Sequence, residues 1–143
     1  MWKFEYSVEC QAARDFAWLF WTNVDNWRLD VEVDSVQLDG PFAAGSRGAT
    51  KVRNGDSVNW FIVEVRDGNH AVIELPITGA VLRMAWTFED SPRGGTRITQ
   101  QMMLSGEQAG AYEETIGRQM EEGMPQGMRK LAAEIVKAAG GQI

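Results

Sequence analysis

From Ala109 to Ile135 the apolar residues recur at steps of three and four: Ala109, Tyr112, Ile116, Met120, Met124, Met128, Leu131 and Ile135. That spacing puts them on one stripe of a single long α-helix. Glu113, Glu114, Glu121 and Glu122 lie in its first half and Arg129, Lys130 and Lys137 in its second, the order that complements a helix dipole. Ser105 with Gln108 fits a capping box at the start, and Gly140-Gly141 a stop at the end. A stripe of this kind is stable only against a matching apolar surface, so the rest of the chain has to supply one. Gly117, Gly123, Pro125 and Gly127 interrupt the helix. An interior proline costs about 3 kcal/mol and each glycine up to about 1 kcal/mol relative to alanine. A kink around Glu121–Pro125, or a break into two helices, is expected, either as a bend that follows the sheet's curvature or as the yielding point of a lid.

The surface comes from strands. Trp2, Phe4, Tyr6, Val8 and Cys10 alternate with Lys3, Glu5, Ser7 and Glu9, the period of a half-buried strand. Between Ala12 and Trp21 the pattern turns helical, with Phe16, Leu19 and Phe20 on one side, and after Asn23 a second short helix is expected over Val24 to Leu29. From there to Ser105 the chain reads as strands joined by tight turns. Val31 and Val33 share one parity and Val36 and Leu38 the other, which predicts a bulge near Asp34–Ser35. Strands follow over Arg47–Arg53, Val58–Val65, Ala71–Leu75, Leu82–Glu89 and Thr96–Leu104, with Asn54-Gly55, Asp67-Gly68-Asn69 and Ser91 to Gly95 as turns. Short turns between neighbours make an antiparallel meander whose one apolar face the C-terminal helix covers.

At 143 residues the chain suits one domain, 1–143. Fourteen basic against twenty acidic residues give a net charge of −6, which repels polyanions and argues against nucleic-acid binding. The opening residues lack the apolar stretch of a signal peptide, no segment approaches the length of a membrane helix, and Cys10 is the only cysteine. A cytoplasmic chain is expected, as a monomer or homodimer. Cys10 lies on the apolar face of its strand and reads as a core residue.

The order of strand, two short helices, meander and long helix resembles the START/Bet v 1-like superfamily, in particular its polyketide cyclase/dehydrase-like branch. Trp18 and Trp27 in "AARDFAWLFWTNVDNW" match the aromatic and the tryptophan of that family's helical segment. Gly40, Gly45 and Gly48 in "VQLDGPFAAGSRG" match its glycine turns, and "GGTRIT" at 94–99 is similar to the signature opening its last strand. Where the family often has a second aromatic, Arg28-Leu29-Asp30 follows here. The resemblance implies an α+β helix-grip fold: a seven-stranded curved antiparallel sheet wrapped around a long C-terminal helix, with two short helices after strand 1. It implies a small hydrophobic molecule, such as a lipid or polyketide, held between sheet and helix.

The residues themselves offer little catalytic chemistry. No nucleophile elbow, phosphate loop or paired metal ligands occur, so no cofactor and no metal are expected. His70, the only histidine, sits beside a turn and suits a hairpin end better than a general base. Polar residues at apolar positions are more informative, because burying them unpaired is costly. Gln100 falls between Ile98 and Met102, and Asn59 shares parity with Phe61, Val63 and Val65. Each is either satisfied within the fold or orients the polar end of a ligand. The expected lining is then Asn59, Phe61, Val63 and Ile73 from the early strands, with Met84, Trp86, Gln100 and Met102 from the late ones. Tyr112, Ile116 and Met120 complete it from the helix. The methionines suit a flexible or varied ligand, or fill gaps in a solid core. A carrier or sequestering domain is expected first. A cyclase-like enzyme using Gln100, Asn59, Tyr112 or His70 is the alternative, and a co-chaperone-like interaction module comes third.

Overall fold

The computed structural model describes residues 2–29, 33–53 and 55–140. Strand β1 (Trp2–Cys10) leads into helix α1 (Arg14–Thr22) and a 3₁₀ turn over Val24–Leu29. Six further strands follow: β2 (Val33–Asp39), β3 (Arg47–Val52), β4 (Ser57–Arg66), β5 (His70–Ile77), β6 (Ala80–Asp90) and β7 (Thr96–Ser105). The sheet order is β1-β7-β6-β5-β4-β3-β2, antiparallel throughout, so the first strand extends the open meander beside the last. The bulge expected near Asp34–Ser35 is present as a register shift between Val33 and Ser35. Val31, Asp30 and Asn54 of the expected turn lie outside the described residues, as does the stop after Gly140.

Side-chain alternation divides the sheet into two faces. Phe88, Ile98 and Val8 stand opposite one another on β6, β7 and β1 and are buried, and Leu82 and Leu104 form a second sealed pair further along. Beyond Phe88 the space under α1 is a packed aromatic cluster. Trp21 touches Trp18, Trp27, Phe42, Trp86 and Phe88 with ring centroids 4.9–5.9 Å apart, and Trp27 packs tilted against Trp60 at 5.1 Å. This end of the molecule is solid core, and it accounts for much of the tryptophan content.

The C-terminal helix differs from expectation in two respects. It begins with a short α2 (Ala109–Tyr112), passes through a π-helical turn over Glu113–Gly117, and continues as α3 (Arg118–Gly140). The irregularity therefore lies ahead of Pro125, and α3 runs on through that proline. The wide turn occurs where the helix meets β1: a Cβ on Gly117 would sit 3.1 Å from the Trp2 ring. No capping box forms either. Gln108 is the N-cap without a side-chain bond, and its backbone N–H donates instead to the Gly79 carbonyl at 2.9 Å, so the β5–β6 turn caps the helix. Further along, β1 and α3 are fastened residue by residue. Trp2 Nε1 donates to Glu121 (3.0 Å), Arg129 donates to the Tyr6 hydroxyl (2.9 Å), and the Cys10 thiol points at the Ala132 carbonyl (3.7 Å). The predicted stripe is the buried one, with Met124, Met128 and Ile135 all inside.

Candidate functional site

Between the sealed rows of the sheet lie two rows that are not sealed. In one, Trp86 of β6, Gln100 of β7 and Tyr6 of β1 stand directly opposite one another; in the next, Met84, Met102 and Phe4 do. Gln100 and Met102 are buried, whereas Met84 and Trp86 keep partial exposure. Strand β6 has β5 on one side and β7 on the other, so that exposure opens on the inner face, towards the helix. Leu75 and Ile77 of β5 share this face and are also half-buried, and from the helical segment so are Tyr112, Ile116 and Met120. The middle of the inner face is thus apolar surface that its neighbours do not fully cover.

Polar groups on this face are few and mostly spoken for. Thr96 donates to the Ala12 carbonyl at 2.7 Å, and Thr50 accepts from Trp60 Nε1 at 2.9 Å. Tyr112 donates its hydroxyl to the Thr78 carbonyl at 2.7 Å, tying α2 to the β5–β6 turn. Gln100 is different. It is 6% exposed, and among the described residues its amide takes part in no side-chain hydrogen bond. No described side-chain nitrogen or oxygen is both sealed and unpartnered, so the amide reaches open space.

Of the expected lining, Ile73, Met84, Trp86, Gln100 and Met102 share the inner face of the sheet, and Tyr112, Ile116 and Met120 lie on the helical segment that covers it. Asn59, Phe61 and Val63 do not join them. Trp60 and Ile62 are the buried residues of β4, which turns Asn59 and Phe61 to the outer face, and Val63 is 40% exposed at a bulge. The bulge then returns Val65 to the inner side. With apolar residues at every position from Trp60 to Val63, alternation does not define a face; only the polar Asn59 marks the outward parity.

The outer face carries two open hollows. One, of about 630 Å³, lies over β2–β4 and includes Asn59, Phe61, Arg47 and Gln37. The other, of about 530 Å³, is floored by Val72 and Ala85. Beside it His70 Nε2 lies 3.0 Å from Glu64 and its Nδ1 3.2 Å from the Thr87 hydroxyl, while Arg83 pairs with Glu74 at 3.1 Å. His70 thus opens β5 at a hairpin end and joins three strands. Among the described residues no group of three metal-ligating side chains comes together, and no helix is long and apolar enough to cross a membrane.

A seven-stranded antiparallel sheet closed over a long C-terminal helix, with a helical excursion after the first strand, is the helix-grip architecture of Bet v 1-like proteins. The chain belongs to the family described as polyketide cyclase / dehydrase and lipid transport, whose model matches residues 1–136. No curated protein sequence matches it. Among solved structures, Ara h 8.0201 superposes with a TM-score of 0.76 at 10% identity, covering 95% of this chain and 98% of that one. Truncated norcoclaurine synthase from Thalictrum flavum gives 0.73 at 9% identity, covering 94% and 92%. The di-domain ARO/CYC BexL from the BE-7585A biosynthetic pathway gives 0.70 at 15%, covering 96% of this chain and 50% of BexL. At these identities the likeness is one of fold.

Proposed function

We propose that this chain binds a small hydrophobic molecule, of the lipid or polyketide kind, between the inner face of its sheet and the helical segment from Tyr112 to Met120. The observation that carries the reading is the partial exposure of Met84 and Trp86 on a strand flanked on both sides, between rows that are sealed. A solid core would bury those positions as it buries Phe88 and Leu82. Methionine at 84, 102 and 120 gives the lining a shape that adapts to its occupant. Membership of a family described by cyclases, dehydrases and lipid transport supports the same class of ligand.

Holding or carrying the molecule is favoured over transforming it. The inner face around Met84 and Trp86 presents an amide and apolar side chains, whereas proton transfer needs a group that gains and loses protons near neutral pH. The Glu64–His70 pair lies on the other face, away from that surface. Native mass spectrometry of freshly purified protein, followed by a panel of lipids and aromatic compounds, tests the reading. A bound mass or a saturable ligand is expected; protein that leaves purification empty and binds nothing in the panel contradicts it.

A further inference from the structure

Six tryptophans supply indole N–H groups, and four of them donate within the fold: Trp2 to Glu121, Trp18 to Asp67, Trp27 to the Trp21 carbonyl and Trp60 to Thr50. Among the described residues, Trp21 and Trp86 donate to nothing, and their rings are neighbours at 4.9 Å. Trp86 stands directly opposite Gln100 in the β6–β7 register. The inner face therefore brings together one indole donor and one amide, which both donates and accepts, in a row flanked by Met84 and Met102 on one side and Phe88 and Ile98 on the other. A buried polar group is retained at a cost unless something pairs with it.

The same face is short of charge. Among the described residues of β1, β4, β5, β6 and β7, the only acidic or basic side chain at an inward position is Asp90, at the far end of β6, and it is held by Arg14 at 3.1 Å. Arg129 of α3 donates to the Tyr6 hydroxyl at 2.9 Å, an exposed contact at the β1 end of the row that holds Gln100 and Trp86. An ionised carboxylate or phosphate drawn in between Trp86 and Gln100 would find an amide and an indole and, apart from Arg129 at the exposed Tyr6 end of the row, no counter-charge, which is a costly burial. We infer that the groove selects uncharged ligands, recognising a carbonyl or hydroxyl group through Gln100 and the Trp86 N–H and disfavouring ligands whose buried end is anionic. This rests on the proposed groove and narrows its occupant, setting neutral ring or chain compounds bearing oxygen apart from free fatty acids and phosphate-headed lipids.

Three probes of one ring system separate the possibilities by calorimetric titration at pH 7: naphthalene, 2-naphthamide and 2-naphthoate. The amide should bind about ten- to a hundredfold more tightly than the carboxylate. Gln100→Leu should weaken 2-naphthamide about tenfold relative to naphthalene. Trp86→Phe, which keeps a ring and removes the N–H, should weaken the amide in the same sense and keeps the test available if Gln100→Leu fails to fold. If naphthalene binds while 2-naphthoate matches or exceeds the amide, or if the amide's advantage survives in both variants, the selectivity is overturned and the groove stands. If none of the three binds, the groove itself fails and the selectivity with it.

Discussion

Gly48 and Trp60 face each other across the β3–β4 ladder, and the Trp60 indole occupies the place a Cβ on residue 48 would take. Trp60 in turn packs against Trp27 and donates to Thr50, so the ring is held from three sides. The glycine that reads in sequence as part of a loop motif is therefore a packing requirement of the aromatic end of the core. Gly48→Ala should destabilise the fold by about 1–3 kcal/mol, the usual range for overpacking a filled site. A lower urea midpoint with an unchanged slope would show it; an unchanged midpoint would mean the tryptophan yields.

Gly123 and Gly127 are the opposite case. Both are exposed within α3, and a Cβ at either would meet nothing within 4 Å. They weaken the helix without serving its packing, so Gly123→Ala and Gly127→Ala should each stabilise by about 0.5–1 kcal/mol, raising the melting temperature by about 2–4 °C. A fall in melting temperature would indicate that these positions serve a strained or moving segment.

These two glycines also show where sequence reasoning stops. Interior Gly and Pro signal a weak helix, and they drew the expected kink to Glu121–Pro125, yet the irregular turn lies at Glu113–Gly117. That turn lies where Trp2 approaches Gly117, a contact remote in sequence that no local propensity records. The positions of the strands along the chain, the bulge at Val33–Ser35 and the stripe from Ala109 to Ile135 were legible because each is a period, or a break in one, in the residues themselves. Gln100 was legible because a polar residue interrupts a clear alternation. The facing of Asn59, Phe61 and Val63 was not, since β4 is apolar on both parities there and its bulge resets the count. Trp86 appeared in sequence as lining only; its unpaired N–H emerges from the fates of the other indoles.

Burial pushes the pKa of the Cys10 thiol up, against a smaller opposing effect of a backbone hydrogen bond at Ala12. The folded chain thus holds the thiol proton more tightly than the unfolded one. Its contribution to stability is complete below the pH at which an exposed thiol ionises, about 8.5, and is lost as pH rises from there through the folded pKa. The urea midpoint of the native chain should fall between pH 8 and 10 more steeply than that of Cys10→Ala. Equal slopes would mean that the thiol ionises in place. Native Cys10 should also react with iodoacetamide far more slowly than in urea.

The proposed ligand lies between the sheet and the helix, and the methionines report on that place directly. Met84, Met102 and Met120 sit at the inner face and its cover, while Met103, next to Met102 in sequence, lines the outer hollow over Val72. With ¹³C-methyl methionine and a titration of 2-naphthol followed by NMR, the Met84, Met102 and Met120 resonances should shift together along one saturation curve and Met103 should stay in place. Shifts confined to Met103, or none at any of the four, would contradict the inner site.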